Sequence, residues 1–137
     1  MIVETLEELA AQLQTGKTTS RDLTEACLAR IEDDAGEGVR AFLSTDAEGA
    51  IATADFMDGR RRASRAPSPY AGIPISLKDL FDVAGEVTAA GSTILRSSEP
   101  VMVDATCVAR LRAAGFVFLG RTNMTEFAYS GVGINPH

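Results

Sequence analysis

The run Gly72-Ile-Pro-Ile-Ser-Leu-Lys78-Asp79 constrains this chain more than any other stretch. Residues 73 to 77 read as one short strand, with Ile73, Ile75 and Leu77 on one face and Pro74, Ser76 and Lys78 on the other. Its apolar density predicts a central strand covered on both faces, as in the parallel sheets of α/β proteins. Lys78 then falls at the strand's carboxyl end, where open α/β sheets place their chemistry. Two readings of Lys78 stay open. It is a strand-end lysine paired with Asp79 or Asp82, or it is a partly desolvated amine whose pKa burial pushes down until it serves as a general base.

The flanking pattern supplies helices and a second strand. Thr5 and Glu8 hold capping-box spacing ahead of Leu6, Leu9, Ala10 and Leu13, and Gly16 is a suitable stop. A second helix begins near Thr19 or Ser20 and turns Leu23, Cys27, Leu28 and Ile31 inward, ending in the segment 33–38. Ala41-Phe42-Leu43 reads as a short strand, and Asp46 to about Arg62 as a third helix. The basic run Arg60-Arg61-Arg62-Ala-Ser-Arg65 complements that helix's negative end. Residues 79–103 form a long irregular loop, expected to wrap a functional mouth. Asp104 reads as the N-cap of a helix bearing Val108 and Leu111, and Phe116-Val-Phe-Leu119 as a buried strand. Strand, crossover helix and strand make a βαβ unit. Asn123 and Glu126 again hold capping-box spacing and predict a helix to about Ala128, followed by the glycine loop Tyr129-Ser-Gly-Val-Gly133.

Bulk properties narrow the function classes. Thirteen basic against nineteen acidic residues, a net charge of −6, argue against a nucleic-acid surface, which needs clustered Lys and Arg. No apolar run approaches the ~20 residues that span a bilayer. The acidic start Met-Ile-Val-Glu lacks the basic opening of a signal peptide. Cys27 and Cys107 read as buried, reduced core thiols, so a cytoplasmic setting is expected. The one histidine, His137, makes a histidine triad or a His-ligated metal cluster implausible within these residues. The glycine loop is not G-x-G-x-x-G, so no dinucleotide is expected, and no cofactor or metal is assigned.

Gly72 to Asp79 resembles the lysine segment of the amidase signature family. The resemblance continues in order through Thr88-Ala-Ala-Gly91-Ser92, Asp104-Ala-Thr-Cys-Val-Ala-Arg-Leu111 and Ala114-Gly115-Phe116. It then runs through Gly120-Arg-Thr-Asn-Met-Thr-Glu-Phe127 to Asn135-Pro136. It covers residues 72–137 closely and 1–71 in general pattern. It implies an α/β fold: a mixed, mainly parallel sheet flanked by helices. The expected organisation is a single incomplete domain over 1–137, with a helical pair at 1–38 and the first part of the α/β core at 39–137.

The implied chemistry is amide hydrolysis by a serine nucleophile, a bridging serine on a cis peptide and a lysine, with backbone amides holding the oxyanion. Lys78 matches the lysine. Both serines of the family follow the Asn-Pro block in a Gly-Ser-rich stretch, so they are expected beyond residue 137, and these residues alone are expected to be inactive. Ser76, Ser92 and Ser130 are not promoted to nucleophile, because none stands in a Gly-Gly-Ser-Ser context. Ser76 shares a strand face with Lys78 but lies ~6.5–7 Å along the strand from it. Phe127, Tyr129 and Ser130 match the segment beside the family's acyl pocket and are the candidate substrate-binding residues. Thr88, Gly91 and Ser92 match a loop that shapes the lysine's surroundings.

A small carboxamide is the implied substrate, without direct nucleic-acid or membrane contact; the resemblance also leaves room for a homodimer of the full-length protein. Two other readings are carried. One is the amidotransferase branch of the family, in which the stretch after Glu-Phe-Ala usually reads Met-Gly-Ser-Ser; here it reads Tyr129-Ser-Gly-Val-Gly-Ile, which favours the plain amidase. The other is a noncatalytic α/β module that binds through an exposed sheet edge.

Overall fold

The computed structural model describes residues 4–135; the start at Met1, Ile2 and Val3, and Pro136 and His137, lie outside the described residues. The elements run α1 (Leu6–Thr15), α2 (Ser20–Ile31), α3 (Gly38–Ala41), β1 (Phe42–Thr45), α4 (Ala47–Arg62), β2 (Pro74–Lys78), α5 (Thr106–Ala114) and β3 (Val117–Thr122). Short 3-10 turns cover Leu95–Ser97 and Glu126–Ala128. The sheet is mixed, in the order β1-β3-β2, with β2 parallel and β1 antiparallel to β3. The expected central strand is therefore corrected: among the described residues β3 is central and β2 lies at an edge.

Three apolar clusters attach the helices. Leu9, Ala10 and Leu13 of α1 and Leu23 of α2 surround Ile73. Leu28 of α2 and Ala50 and Ala54 of α4 cover Val117 and Leu119. Val108 of α5 and Val83 of the following loop cover Leu77, with Ile75 and Phe118 beside them. Val117 and Leu119 alternate with Phe118, so β3 is covered on both faces. Ile73 departs from the predicted stripe: it precedes β2 and packs with α1 and α2, while Ile75 and Leu77 pack with α5.

Local chemistry sets the helix ends. Thr5 with Glu8, and Thr19 with Asp22, form complete capping boxes. A second cap on α2 comes from far away in the chain. The buried Asp58 of α4 accepts the amides of Ser20 at 2.8 Å and Arg21 at 3.1 Å, while the Ser20 hydroxyl donates to the Gly72 carbonyl at 2.6 Å. The basic run binds carbonyls past the end of α4: Arg60 donates to Arg65 O, and Arg61 to Pro69 O and Ala71 O.

Three sequence expectations are corrected. The N-cap of α5 is Ala105, not Asp104, whose carboxylate instead accepts the Ala84 amide at 2.8 Å and pairs with Arg112. The segment 123–128 forms a 3-10 turn with Phe127 and Ala128 left-handed; the carboxylate of Glu126 accepts the Ser92 hydroxyl and is lost to any capping box. Cys107 is exposed; Cys27 is half-buried, and burial pushes its thiol pKa up.

Because Asp58 satisfies two donors at the start of α2, Asp58→Ala leaves both without an acceptor. The expected loss is about 2–3 kcal/mol of unfolding free energy, read from urea denaturation as a lowered midpoint with an unchanged slope.

Candidate active site

β2 ends where the chain turns back through the long loop, and Lys78 is its last residue. Lys78 is exposed, and among the described residues it forms no ion pair. It therefore matches neither sequence reading within these residues, being neither paired nor buried. Its register partner on β3 is Thr122. Lys78 lines an open cleft of about 420 Å³ with Arg40, Thr122, Asn123, Thr125 and Ser130. Arg40 pairs with Glu37.

Asp79 takes the opposite course. It is buried, and its carboxylate accepts the Gly91 amide at 3.1 Å and Arg121 Nη2 at 3.4 Å. The expected pairing of Asp79 with the lysine is replaced by this pairing with Arg121, and no ion pair joins Lys78 to Asp82. Arg121 lies level with Leu77 because the register of β3 slips against β2: Ile75 faces Phe118, but Leu77 faces Arg121. The extra residue belongs to the stretch around Gly120, where only glycine fits, since a Cβ there would lie 2.1 Å from Ser44 O.

The three predicted substrate-binding residues gather in one place. Phe127, Tyr129 and Ser130 line a second open cleft of about 440 Å³ with Thr125, Glu126 and Ile134. Ser130 and Thr125 also line the Lys78 cleft, so the two hollows adjoin. Phe127 is 53% and Tyr129 95% exposed, so neither is a core residue. Phe127 and Ala128 both have positive φ, 52° and 55°, a strain on the order of 1–2 kcal/mol each. The Phe127 amide, which donates to Ala90 O at 2.9 Å, helps to hold that geometry.

The other serines are engaged or remote. Ser92 is fully buried and donates to Glu126 Oε1 at 2.6 Å, while Ser76 is exposed. The amide of Asn135 donates to the carbonyls of Gly91 and Met124, joining the loop around residue 91 to the segment that carries Phe127. A Cβ on Gly91 would meet Met124 O at 2.7 Å, which explains glycine at that crossing. Sequence reasoning missed Arg121 and the contact of Ser92 with Glu126. The first had a visible signal, a charged residue inside an apolar strand, which calls for a buried partner. No group of three or more His, Cys, Asp or Glu able to hold a metal occurs among the described residues.

An α/β unit with helices flanking a mixed sheet, and a lysine at the carboxyl end of a parallel strand, defines the class. The family model described as Amidase matches residues 22–137, and the chain belongs to that family. It is 47% identical over 124 residues to the A subunit of glutamyl-tRNA(Gln) amidotransferase from Streptomyces coelicolor, covering 90% of this chain and 24% of that protein. It is 43% identical over 130 residues to AtzE, the 1-carboxybiuret hydrolase component of Pseudomonas sp. (strain ADP), covering 95% of this chain and 28% of that one. The native peptide amidase of Stenotrophomonas maltophilia superposes with a TM-score of 0.82 at 38% identity, over 93% of this chain and 26% of that one. The chain thus spans about a quarter of the length of these relatives.

The loop beside the site is clipped by Asp104, which accepts Arg112 Nε at 2.9 Å and Nη2 at 3.2 Å as well as the Ala84 amide. The Arg112 guanidinium, then the Ala84 amide, hold its carboxyl below the usual aspartate range. A depressed carboxyl stabilises the fold above the unfolded pKa, and that contribution disappears as pH falls through the folded value. Hydrogen-exchange protection at Ala84 is expected to be constant near neutrality and to drop in acid, below about pH 4. In Asp104→Asn, which keeps an acceptor for the Ala84 amide but loses the charge, protection should be reduced and should lack this acid step.

Proposed function

We propose that this chain is the lysine-bearing portion of an amidase that hydrolyses the C–N bond of small carboxamides, with Lys78 as the base. The observation that carries the proposal is an amine at the carboxyl end of β2 that opens into a cleft and has no ion-pair partner among the described residues. Membership of the amidase family and likeness to a peptide amidase support it.

In the proposed mechanism a serine hydroxyl attacks the amide carbonyl carbon, and its proton passes through a bridging serine to the neutral Lys78 Nζ. The tetrahedral intermediate expels the amine, which takes that proton back. Water then cleaves the acyl-enzyme by the same relay, releasing the carboxylic acid and restoring the serine. Both serines are assigned to sequence outside these 137 residues. Phe127, Tyr129 and Ser130 are assigned to the wall that takes the acyl group, with apolar area from the two rings and hydrogen bonding from Ser130. The same reading carries a single incomplete domain over 1–137, no cofactor, a cytoplasmic setting and a homodimer of the full-length protein.

A second reading has a specific observation behind it: the 47% identity to the glutamyl-tRNA(Gln) amidotransferase protein. There the same lysine would serve the release of ammonia from glutamine for a partner protein. Tyr129-Ser-Gly-Val-Gly, in place of the Met-Gly-Ser-Ser expected of that branch, favours the hydrolase. The two separate on whether ammonia release depends on charged tRNA and a partner protein.

Lys78→Ala in the full-length protein is expected to lower kcat for carboxamide hydrolysis about a thousandfold, within the range for a lost general base. Activity retained within about tenfold, ~1.4 kcal/mol in barrier height, overturns the assignment. The 137 residues assayed alone should release no ammonia.

A further inference from the structure

We infer that Asp79 and Arg121 form a positioning pair for Lys78, holding the strand end and the pocket segment in fixed relation and keeping the aspartate off the lysine. This rests on Lys78 being the base, and it concerns residues to which no role has been given above.

Residue 79 is held from four directions. Its amide donates to Thr122 O at 3.0 Å, and its carbonyl accepts the Ala90 amide at 2.8 Å. Its carboxylate accepts the Gly91 amide and Arg121 Nη2. The preceding residue is Lys78, so these bonds fix the backbone from which the amine projects. The same loop reaches the pocket: Ala90 O accepts the Phe127 amide, and Gly91 O accepts the Asn135 side chain. Ala90 itself is left-handed, with φ of 52°, as is Phe127. Non-glycine residues in that region persist only where their surroundings over-determine them, and such strain collects at functional sites.

The pair is poorly explained as a stabilising device. Buried ion pairs often contribute little against well-packed apolar residues. This one also leaves Arg121 Nη1 and Nε without a hydrogen bond, with Glu86 Oε2 3.7 Å from Nε. Unmet buried donors are costly. Its effect on charge is specific. An aspartate next in sequence to a lysine is a ready partner for the ammonium, and such a pairing would keep the amine protonated. With Arg121 and Gly91 occupying the carboxylate, Lys78 remains free. The other charged groups around the pair and the lysine are Glu86, 3.7 Å from Arg121, Asp46 and Arg96 in the hollow lined by Asp79 and Arg121, Arg112 in the adjoining hollow, Arg40, paired with Glu37, in the Lys78 cleft, and Glu126, bonded to Ser92.

The test uses the full-length protein, with steady-state carboxamide hydrolysis measured against pH. Asp79→Asn and Arg121→Met are each expected to lower kcat at least tenfold with KM within threefold. The acid limb of the kcat profile should move in opposite directions. Asp79→Asn leaves an unbalanced cation, disfavours the ammonium and moves the limb to lower pH; Arg121→Met leaves an unbalanced carboxylate and moves it higher. Arg121→Lys keeps the charge and should restore kcat to within threefold of wild type. A merely structural pair would shift neither limb. The inference is overturned if both variants keep kcat within twofold, or if their limbs stay put or move together. Should Arg121→Met fail to fold, by circular dichroism, Asp79→Asn and Arg121→Lys decide alone. Lys78→Ala is run in parallel: if it stays active, the assignment of the base fails and the pair has nothing to position. If only Lys78→Ala is inactive, the base stands and the pair falls.

Discussion

The parallel pairing of β2 with β3 is the interaction on which the rest of the molecule depends. It runs from the Gly72 amide on Gly115 O to the Asp79 amide on Thr122 O, with α5 as the connection between the two strands. Every cluster of buried side chains includes a residue of these strands or one flanking them: Ile73, Val117 with Leu119, or Leu77. Parallel strands cannot be closed by a short turn, so the crossover helix is obligatory. The carboxyl ends of both strands then fall side by side, and the loops that leave them must meet there.

What those ends carry is two cations treated in opposite ways. Lys78, level with Thr122, is left in an open cleft without a counter-ion among the described residues; Arg121, level with Leu77, is buried against Asp79. The slip in register around Gly120 makes the difference. Without the slip, strict alternation would keep Arg121 in the row of Val117 and Leu119, against α2 and α4. The register thus acts as a sorting device, and a single glycine beside Ser44 O permits it.

Much of the framework was legible in the sequence, because it is written in short-range signals. The capping box at Thr5, the start of α2 near Thr19, the span of α4 and the βαβ unit all follow from periodicity and cap chemistry within a few residues. What was not legible depends on partners distant in the chain. Asp104 looked like a cap but is captured by Arg112 and the Ala84 amide. Glu126 looked like half a capping box but belongs to Ser92. The centre of the sheet was misplaced because an apolar run does not say which neighbour it will have. Phe127, Tyr129 and Ser130 were found together, yet the left-handed backbone that presents Phe127 had no signal in its residue type. The placement of Lys78 at a strand end was legible, while the partner of its neighbour Asp79 lies forty-two residues further on, at Arg121.

The cap that Asp58 places on α2 bears on where this unit can be divided. The family model's match begins at Asp22, two residues inside α2. A boundary drawn there would remove Thr19, Ser20 and Arg21 and keep Asp58, stranding a buried carboxylate with neither backbone donor. It would also strip the Gly72 carbonyl of the Ser20 hydroxyl just ahead of the lysine strand. The physical unit therefore extends upstream of the residues that the family model matches. Any division of the chain that keeps the Asp58 cap intact has to carry Ser20 and Arg21 along with the lysine strand.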